Sequence, residues 1–424
     1  MRTTIAMKYK SRWVLLLTVV LLGLQAKAQG IDGTWNGVLD VPQMKLNIVF
    51  HFQTDGKGKT TCTMDSPDQG AKGIPAEVEL LTADSVAVGI PAFGIQYAAT
   101  VSGDEIKGTF TQMGYPFPLT LKRGEPEVKR PQTPVPPYLY TTEEVTFTNP
   151  DDGAVLSGTL TYPTGYGTAF FKRPVPVVLM VTGSGPQNRD EEIFMHKPFL
   201  VIADYLARSG IASLRYDDRG TGLSTGDAVK ATTQTFANDA AAGLDFLRKT
   251  GKFASVGILG HSEGGTICFV LGAEKKVDFA VSLAGTAVKG IDIILEQNRT
   301  ALRMTGQSDN IDKEELLVKL KEQQSPWLDY FVEYDPTNAI RATHCPVMAI
   351  NGSMDMQVNA AVNLGGIRKN LPANAKNLIK EYSGLNHLFQ HAKTGMATEY
   401  SQIEETISEE VLKDMADWIL KTGV

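Results

Sequence analysis

Cysteine is scarce in this chain: Cys62, Cys268 and Cys345 are the only three in 424 residues. They are far apart and odd in number, which excludes a disulfide framework and a zinc site. Cys268 and Cys345 sit in apolar surroundings, where cysteine acts as a small core residue. A strong charge of one sign is also missing. The formal net charge is −6, with no large basic run beyond the N-terminus, which argues against nucleic acid as a partner. No metal-ligand spacing and no phosphate loop is present: Gly220-Thr221-Gly222 lacks the strand–Gly-x-Gly-x-x-Gly–helix form. No cofactor or metal is therefore expected. The apolar stretch Trp13 to Leu24 is too short to span a bilayer comfortably.

That stretch has another reading. Arg2, Lys8, Lys10 and Arg12 precede it, and Ala26-Lys27-Ala28 follows as a small-x-small cleavage site. Residues 1–28 read as a secretory signal peptide, cut after Ala28. The mature chain is expected to be exported, periplasmic or secreted, without a stable membrane span. No cysteine near the cut supports a lipid anchor.

Past the signal the pattern is all β over 29–122. Leu46 to Phe52, Val78 to Leu80, Ser85 to Val88 and Tyr97 to Val101 are separated by turn signals such as Asp55-Gly56 and Gly103-Asp104. These short strands predict a small antiparallel sandwich or partial barrel. Gly33-x-Trp35 resembles the lipocalin first strand, although the module looks too short for a full lipocalin. His51 is the only histidine before the linker and reads as structural or solvated. Residues 123–140 carry Pro126, Pro131, Pro134, Pro136 and Pro137 and read as a semi-rigid spacer.

From 141 to 424 strands and helices alternate. A hairpin turns at Asp151-Asp152-Gly153, and the wholly apolar Val175 to Val181 suits a strand covered on both faces. The alternation predicts right-handed crossovers and a mostly parallel sheet. No strand pattern occurs from about 286 to 342, a helical stretch read as a cap. The organising motif is Gly260-His261-Ser262-Glu263-Gly264-Gly265, between the apolar strand Val256 to Leu259 and an apolar helix. Such a strand–turn–helix strains the serine backbone and exposes its hydroxyl, and a side chain at Gly260 or Gly264 would collide with neighbouring backbone.

This order of elements resembles the α/β-hydrolase superfamily, in particular its serine-aminopeptidase-like carboxylesterases with an extra N-terminal β-domain. The carriers are Thr182 to Asp190, Tyr216 to Ser224, the Ser262 elbow, Gly352 to Val358 and Asn386 to Phe389. The resemblance implies a mostly parallel sheet with helices on both faces and a helical cap, and a Ser262–His387–Asp355 triad. His387 is favoured as base over His391 by the Asn-His match, while His196, His261 and His344 come too early in the chain. Asp355, after the strand Val347 to Asn351, is favoured as acid over Asp335 in Tyr334-Asp335-Pro336. The oxyanion hole is expected from the N–H of Glu263 and that of Ser184 or Gly185. The Glu263 side chain has no required role and reads as solvated or paired. Arg189, Asp190, Asp218 and Arg219 read as structural. Three functions compete. The first is a serine esterase acting on a small-molecule ester. The others are an aminopeptidase or amidase on the same triad, and an exported glycan- or lipid-binding protein with incidental hydrolase activity.

Overall fold

The apolar run Pro176–Val181 explains the main sheet. In an extended strand alternate side chains point to opposite faces, and all six of these residues are buried. Val177, Leu179 and Val181 enter one core, Val178 and Met180 the other. A strand that feeds two cores must be covered on both sides. The computed structural model describes residues 30–423 apart from 42–43, 70, 126–128, 170 and 172. The expected signal segment lies outside the described residues.

The N-terminal strands are β1 Gly33–Val41, β2 Met44–Thr54, β3 Thr60–Ser66, β4 Ala71–Leu81, β5 Ser85–Ile90, β6 Ile95–Ser102, β7 Glu105–Gln112 and β8 Tyr115–Arg123. They close into a barrel in chain order. The expected sandwich or partial barrel is thus corrected to a full eight-stranded one. The strand pattern understates it because β8 contains Pro116 and Pro118, which normally argue against a strand. The barrel closes where Trp35 and Arg123 are cross-strand partners. The Arg123 guanidinium lies 4.1 Å from the Trp35 ring centroid and donates to the carbonyls of Gly30 and Asp32. The interior is filled by the barrel's own side chains, among them the fully buried Trp35, Phe50, Tyr97 and Phe110.

The second sheet has eight strands: β9 Thr142–Thr148, β10 Val155–Thr161, β11 Pro176–Val181, β12 Ala212–Tyr216, β13 Ser255–His261, β14 Ala280–Leu283, β15 Val347–Gly352 and β16 Leu378–Tyr382. Their order is β9-β10-β12-β11-β13-β14-β15-β16. The β9–β10 and β10–β12 pairs are antiparallel and the remaining pairs parallel. Helices α1 (Pro198–Ser209), α2 (Thr233–Thr250) and α3 (Glu263–Ala273) follow strands β11, β12 and β13. Between β14 and β15 come four more: α4 (Gly290–Met304), α5 (Lys313–Lys321), α6 (Pro326–Glu333) and α7 (Thr337–Ala342). The last three are α8 (Ala360–Asn370), α9 (Ala397–Tyr400) and α10 (Glu409–Thr422). Buried residues of α2, α3 and α8 join one core, those of α1 and α10 the other. Ile291, Leu328 and Val332 form a small separate core for α4 and α6. Among the described residues no helix is long and apolar enough to cross a membrane.

The proline-rich segment is not a free spacer. Arg130 donates to the carbonyls of Phe194, Met195, Ser401 and Ile403 at 2.7–3.2 Å. Gln132 donates to the Ile407 carbonyl and accepts from the N–H groups of Thr406 and Ile407. Prolines stiffen the segment, and these two polar anchors fix it to the α/β unit. Arg130→Ala should lower the unfolding free energy in urea by about 2–3 kcal/mol, because four carbonyls lose a charged donor at once. Lysine should restore only part, since an ammonium lacks the guanidinium's planar fork. A loss below about 0.5 kcal/mol, the range of ordinary surface changes, would show that these bonds do not anchor the segment.

Candidate active site

Ser262 sits between β13 and α3 at φ +54°, ψ −114°, a backbone that non-glycine residues rarely adopt. Neighbouring glycines allow the turn. A Cβ on Gly260 would come within 2.1 Å of the Gly264 carbonyl oxygen, and one on Gly264 within 2.1 Å of the Val181 oxygen. Helix α3 therefore presses against β11 and β13 at backbone distance. The Ser262 N–H donates to the Leu283 carbonyl, and the Ser262 carbonyl accepts from Thr266. The strained serine is thus held from both sides.

His387 follows β16, and its Nδ1 lies 2.7 Å from Asp355 Oδ2. The other carboxylate oxygen accepts the N–H groups of Gln357 and Val358, both at 2.8 Å. Both side chains are almost fully buried. Two backbone donors fix the acid, and the acid fixes the imidazole. Ser262 and His387 line one cavity of about 350 Å³, with Trp327, Leu328 and Phe331 of α6 and Val358 on its walls. The rival residues lie elsewhere. Asp335 is exposed and accepts the Thr337 N–H at the start of α7. The His391 side chain is 68% exposed and pairs with Glu405.

The loop after β11 meets the elbow: a Cβ on Gly183 would come within 3.3 Å of the Ser262 Cβ. The Gly183 N–H is already committed to Glu191 Oε1 at 2.9 Å. Ser184 lines the cavity together with Glu263. Gly185 supplies the left-handed turn at φ +87° and is not among the cavity-lining residues described. Of the two sequence candidates, Ser184 is the one among the cavity-lining residues.

Four acidic residues hold partners here that motif reading did not name. Glu263 is not solvated. It is 2% exposed, accepts from Thr233 Oγ1 at 2.5 Å, and has both oxygens 3.0 Å from Trp327 Nε1. Burial raises its pKa, while bonds from Thr233, Trp327 and the Ser184 hydroxyl oppose the rise. One carboxylate thus ties the elbow to α2, α6 and the loop after β11. Asp218 accepts from Thr182 Oγ1 at 2.7 Å and the Gln187 N–H at 2.8 Å, bracing both ends of that loop. Asp217 holds Arg189 through Nη2 at 2.8 Å. Glu191 accepts the Gly183 N–H and lies 3.0 Å from His261 Nδ1. Arg219 pairs with Asp239 and Asp152. The available signal for these roles was the density of acids in Asp190-Glu191-Glu192 and Asp217-Asp218, without any hint of their partners.

Residues 197–308 match the family model described as serine aminopeptidase, S33. Over 280 residues the chain is 27% identical to the esterase EstD of Thermotoga maritima. That alignment takes in 63% of this chain and 66% of that protein, just under two thirds of its length. Among solved structures the chain resembles the esterase Pf2001 of Pyrococcus furiosus (TM-score 0.46, 17% identity, 70% of this chain and 99% of that one). It also resembles ferulic acid-bound Est1E of Butyrivibrio proteoclasticus (TM-score 0.45, 17% identity, 64% of this chain and 96% of that one). The sheet order and the strained serine turn are those of the α/β-hydrolase fold. Within that fold, its central region is similar to the S33 serine aminopeptidases.

Burial pushes Asp218 up to about 8, against the bonds from Thr182 and Gln187 that favour its charged form. A carboxyl raised in the folded state favours folding when protonated, and that contribution is lost as pH rises through the folded value. Asp218→Asn keeps an acceptor oxygen without the titration. Measured by urea unfolding, the variant should gain stability relative to wild type as pH rises from about 4 to about 8. A stability difference independent of pH over that range would show that Asp218 titrates as an ordinary carboxylate.

Proposed function

We propose that the protein is an exported serine esterase that cleaves small carboxylic esters through an acyl-enzyme on Ser262. The observation that carries this reading is the 2.7 Å contact between His387 Nδ1 and Asp355, made beside the cavity that Ser262 lines. With Nδ1 committed to the carboxylate, Nε2 is the nitrogen left to take the serine proton. Ser262 Oγ attacks the ester carbonyl and its proton passes to His387. The oxyanion receives the N–H groups of Glu263 and Ser184. Collapse breaks the ester bond, and His387 protonates the departing alcohol. Water, deprotonated by the same histidine, then releases the acid and restores the serine. The cavity, about 350 Å³, is at the small end for ligand sites.

Engagement of most acidic groups at the cavity and in the cap favours an ester over an aminopeptidase substrate. Holding a substrate ammonium needs a carboxylate with free acceptor capacity. Glu191 and Glu263 line the cavity, but Glu191 is engaged by Gly183 and His261 and Glu263 by Thr233 and Trp327. In the cap, Glu296 pairs with Arg303, Glu315 with Lys319, and Glu333 with Lys289 and Lys321. The likeness to the esterase EstD supports the same choice, and the basic, apolar and Ala-x-Ala segments of residues 1–28 support export.

Ser262→Ala should abolish labelling by a fluorophosphonate probe and cut p-nitrophenyl acetate turnover by roughly 10⁴-fold or more. Wild type should cleave p-nitrophenyl esters well and aminoacyl p-nitroanilides poorly. Labelling that survives the substitution would remove Ser262 from the chemistry. Faster cleavage of anilides than of esters would replace the esterase reading with the aminopeptidase one.

A further inference from the structure

Two buried ionisable groups beside the cavity have no part in the proposed reaction. Glu191 is 2% exposed and His261 is 7% exposed. Glu191 Oε1 lies 3.0 Å from His261 Nδ1 and also accepts the Gly183 N–H at 2.9 Å. The other nitrogen of His261, Nε2, lies 2.9 Å from the backbone carbonyl of His387. The two imidazole rings are 4.7 Å apart between centroids.

The chemistry of these contacts is restrictive. A backbone carbonyl only accepts, so Nε2 of His261 carries a proton. A second proton lies between Nδ1 and the carboxylate, because neither atom could otherwise donate to the other. With Gly183 also donating to Oε1, the arrangement is a carboxyl–imidazole pair that shares this proton. Burial opposes the charge on His261, but the Glu191 charge and hydrogen bond outweigh it and raise the His261 pKa.

The backbone points the same way. Glu191, Phe194 and Met195 all have positive φ, between 50° and 61°. Left-handed backbone at such residues is strained and persists only where its surroundings over-determine it. Here Arg130 grips the carbonyls of Phe194 and Met195, and the Glu191 N–H donates to Asn188. The strained turn delivers one carboxylate beneath Gly183.

We propose that Glu191 is a positioning residue which, through His261, locks the loop after β11 and the loop of His387 into one unit around Ser262. Gly183 precedes the proposed oxyanion donor Ser184. His261 precedes the nucleophile. The carbonyl that His261 holds belongs to the base itself. One carboxylate–imidazole pair therefore sets the distance between the oxyanion donor and the base, without touching substrate. The proposal rests on Ser262 and His387 acting as described above.

The test is turnover per active serine, with sites counted by fluorophosphonate labelling and p-nitrophenyl acetate as substrate. Labelling at Ser262 in wild type tests the functional reading, and turnover per labelled serine in the variants tests the proposal. Glu191→Ala should lower kcat per labelled site roughly ten- to a hundredfold, as expected for displaced catalytic groups, with KM little changed. Glu191→Gln should recover most of that rate. Its amide oxygen, standing in the place of Oε1, can accept both from Gly183 and from an Nδ1–H of His261. Glu191→Ala with the wild-type rate per labelled serine would reduce the residue to a stabilising role and overturn the proposal. A glutamine variant as slow as the alanine one would overturn the hydrogen-bond basis of the positioning. Should Glu191→Ala fail to fold, His261→Gln serves instead, since it keeps a donor toward the His387 carbonyl while giving up the Nδ1 contact. It should also lose roughly tenfold or more in kcat per labelled site, and a wild-type rate there would overturn the proposal.

Discussion

The site depends on one steric constraint: α3 must approach β11 and β13 at backbone distance. Glycine at 260 and 264 is the condition for that approach, since a Cβ at either would overlap a carbonyl at 2.1 Å. The approach places Ser262 in its left-handed turn and aims the first N–H groups of α3 toward its hydroxyl. It also brings Gly183 against the serine, so that the loop after β11 can share the cavity. Without the glycines neither the serine strain nor the loop contact survives, and His387 has no partner to serve.

Around that turn the fold uses buried carboxyl groups as braces. Glu263, Asp218, Glu191 and Asp355 are each less than 10% exposed, and each accepts from at least two donors; for Asp355 one of these is His387 and the others lie in its own loop. A buried carboxylate is costly alone and tolerable when saturated. Loops have no ladder of their own hydrogen bonds to hold them. The braces give the loops after β11, β15 and β16 fixed positions relative to a rigid sheet. Trp327 extends the same principle to the cap, because its indole N–H ends on Glu263.

Much of this was legible in the sequence, and the reason is locality. The elbow is a run of six residues, the covered strands are apolar runs, and the proposed acid and base, Asp355 and His387, each follow a strand. The structure gathers Ser262 and His387 at one cavity, with Asp355 bonded to His387. What escaped the sequence was long-range pairing. Glu191 to His261 spans 70 residues and Arg130 to Ser401 spans 271, and no local periodicity marks such partners. The barrel's closure was missed for a related reason. Trp35 and Arg123 are adjacent only once eight strands have been counted, and two prolines disguise the last. Ser184 and Gly185 differ in φ and in cavity lining only once the loop has a shape, because neither is a property of a tripeptide.

The central claim is that an acyl group is transferred to Ser262. The most direct measurement is rapid acid quenching of the wild-type enzyme with a p-nitrophenyl ester, followed by intact mass and peptide mapping. The account predicts a mass increase of one acyl group, confined to the peptide that contains Ser262 and disappearing as turnover ends. Acylation mapped to another residue would contradict it, as would product formation with no acyl adduct even when deacylation is slowed by low temperature.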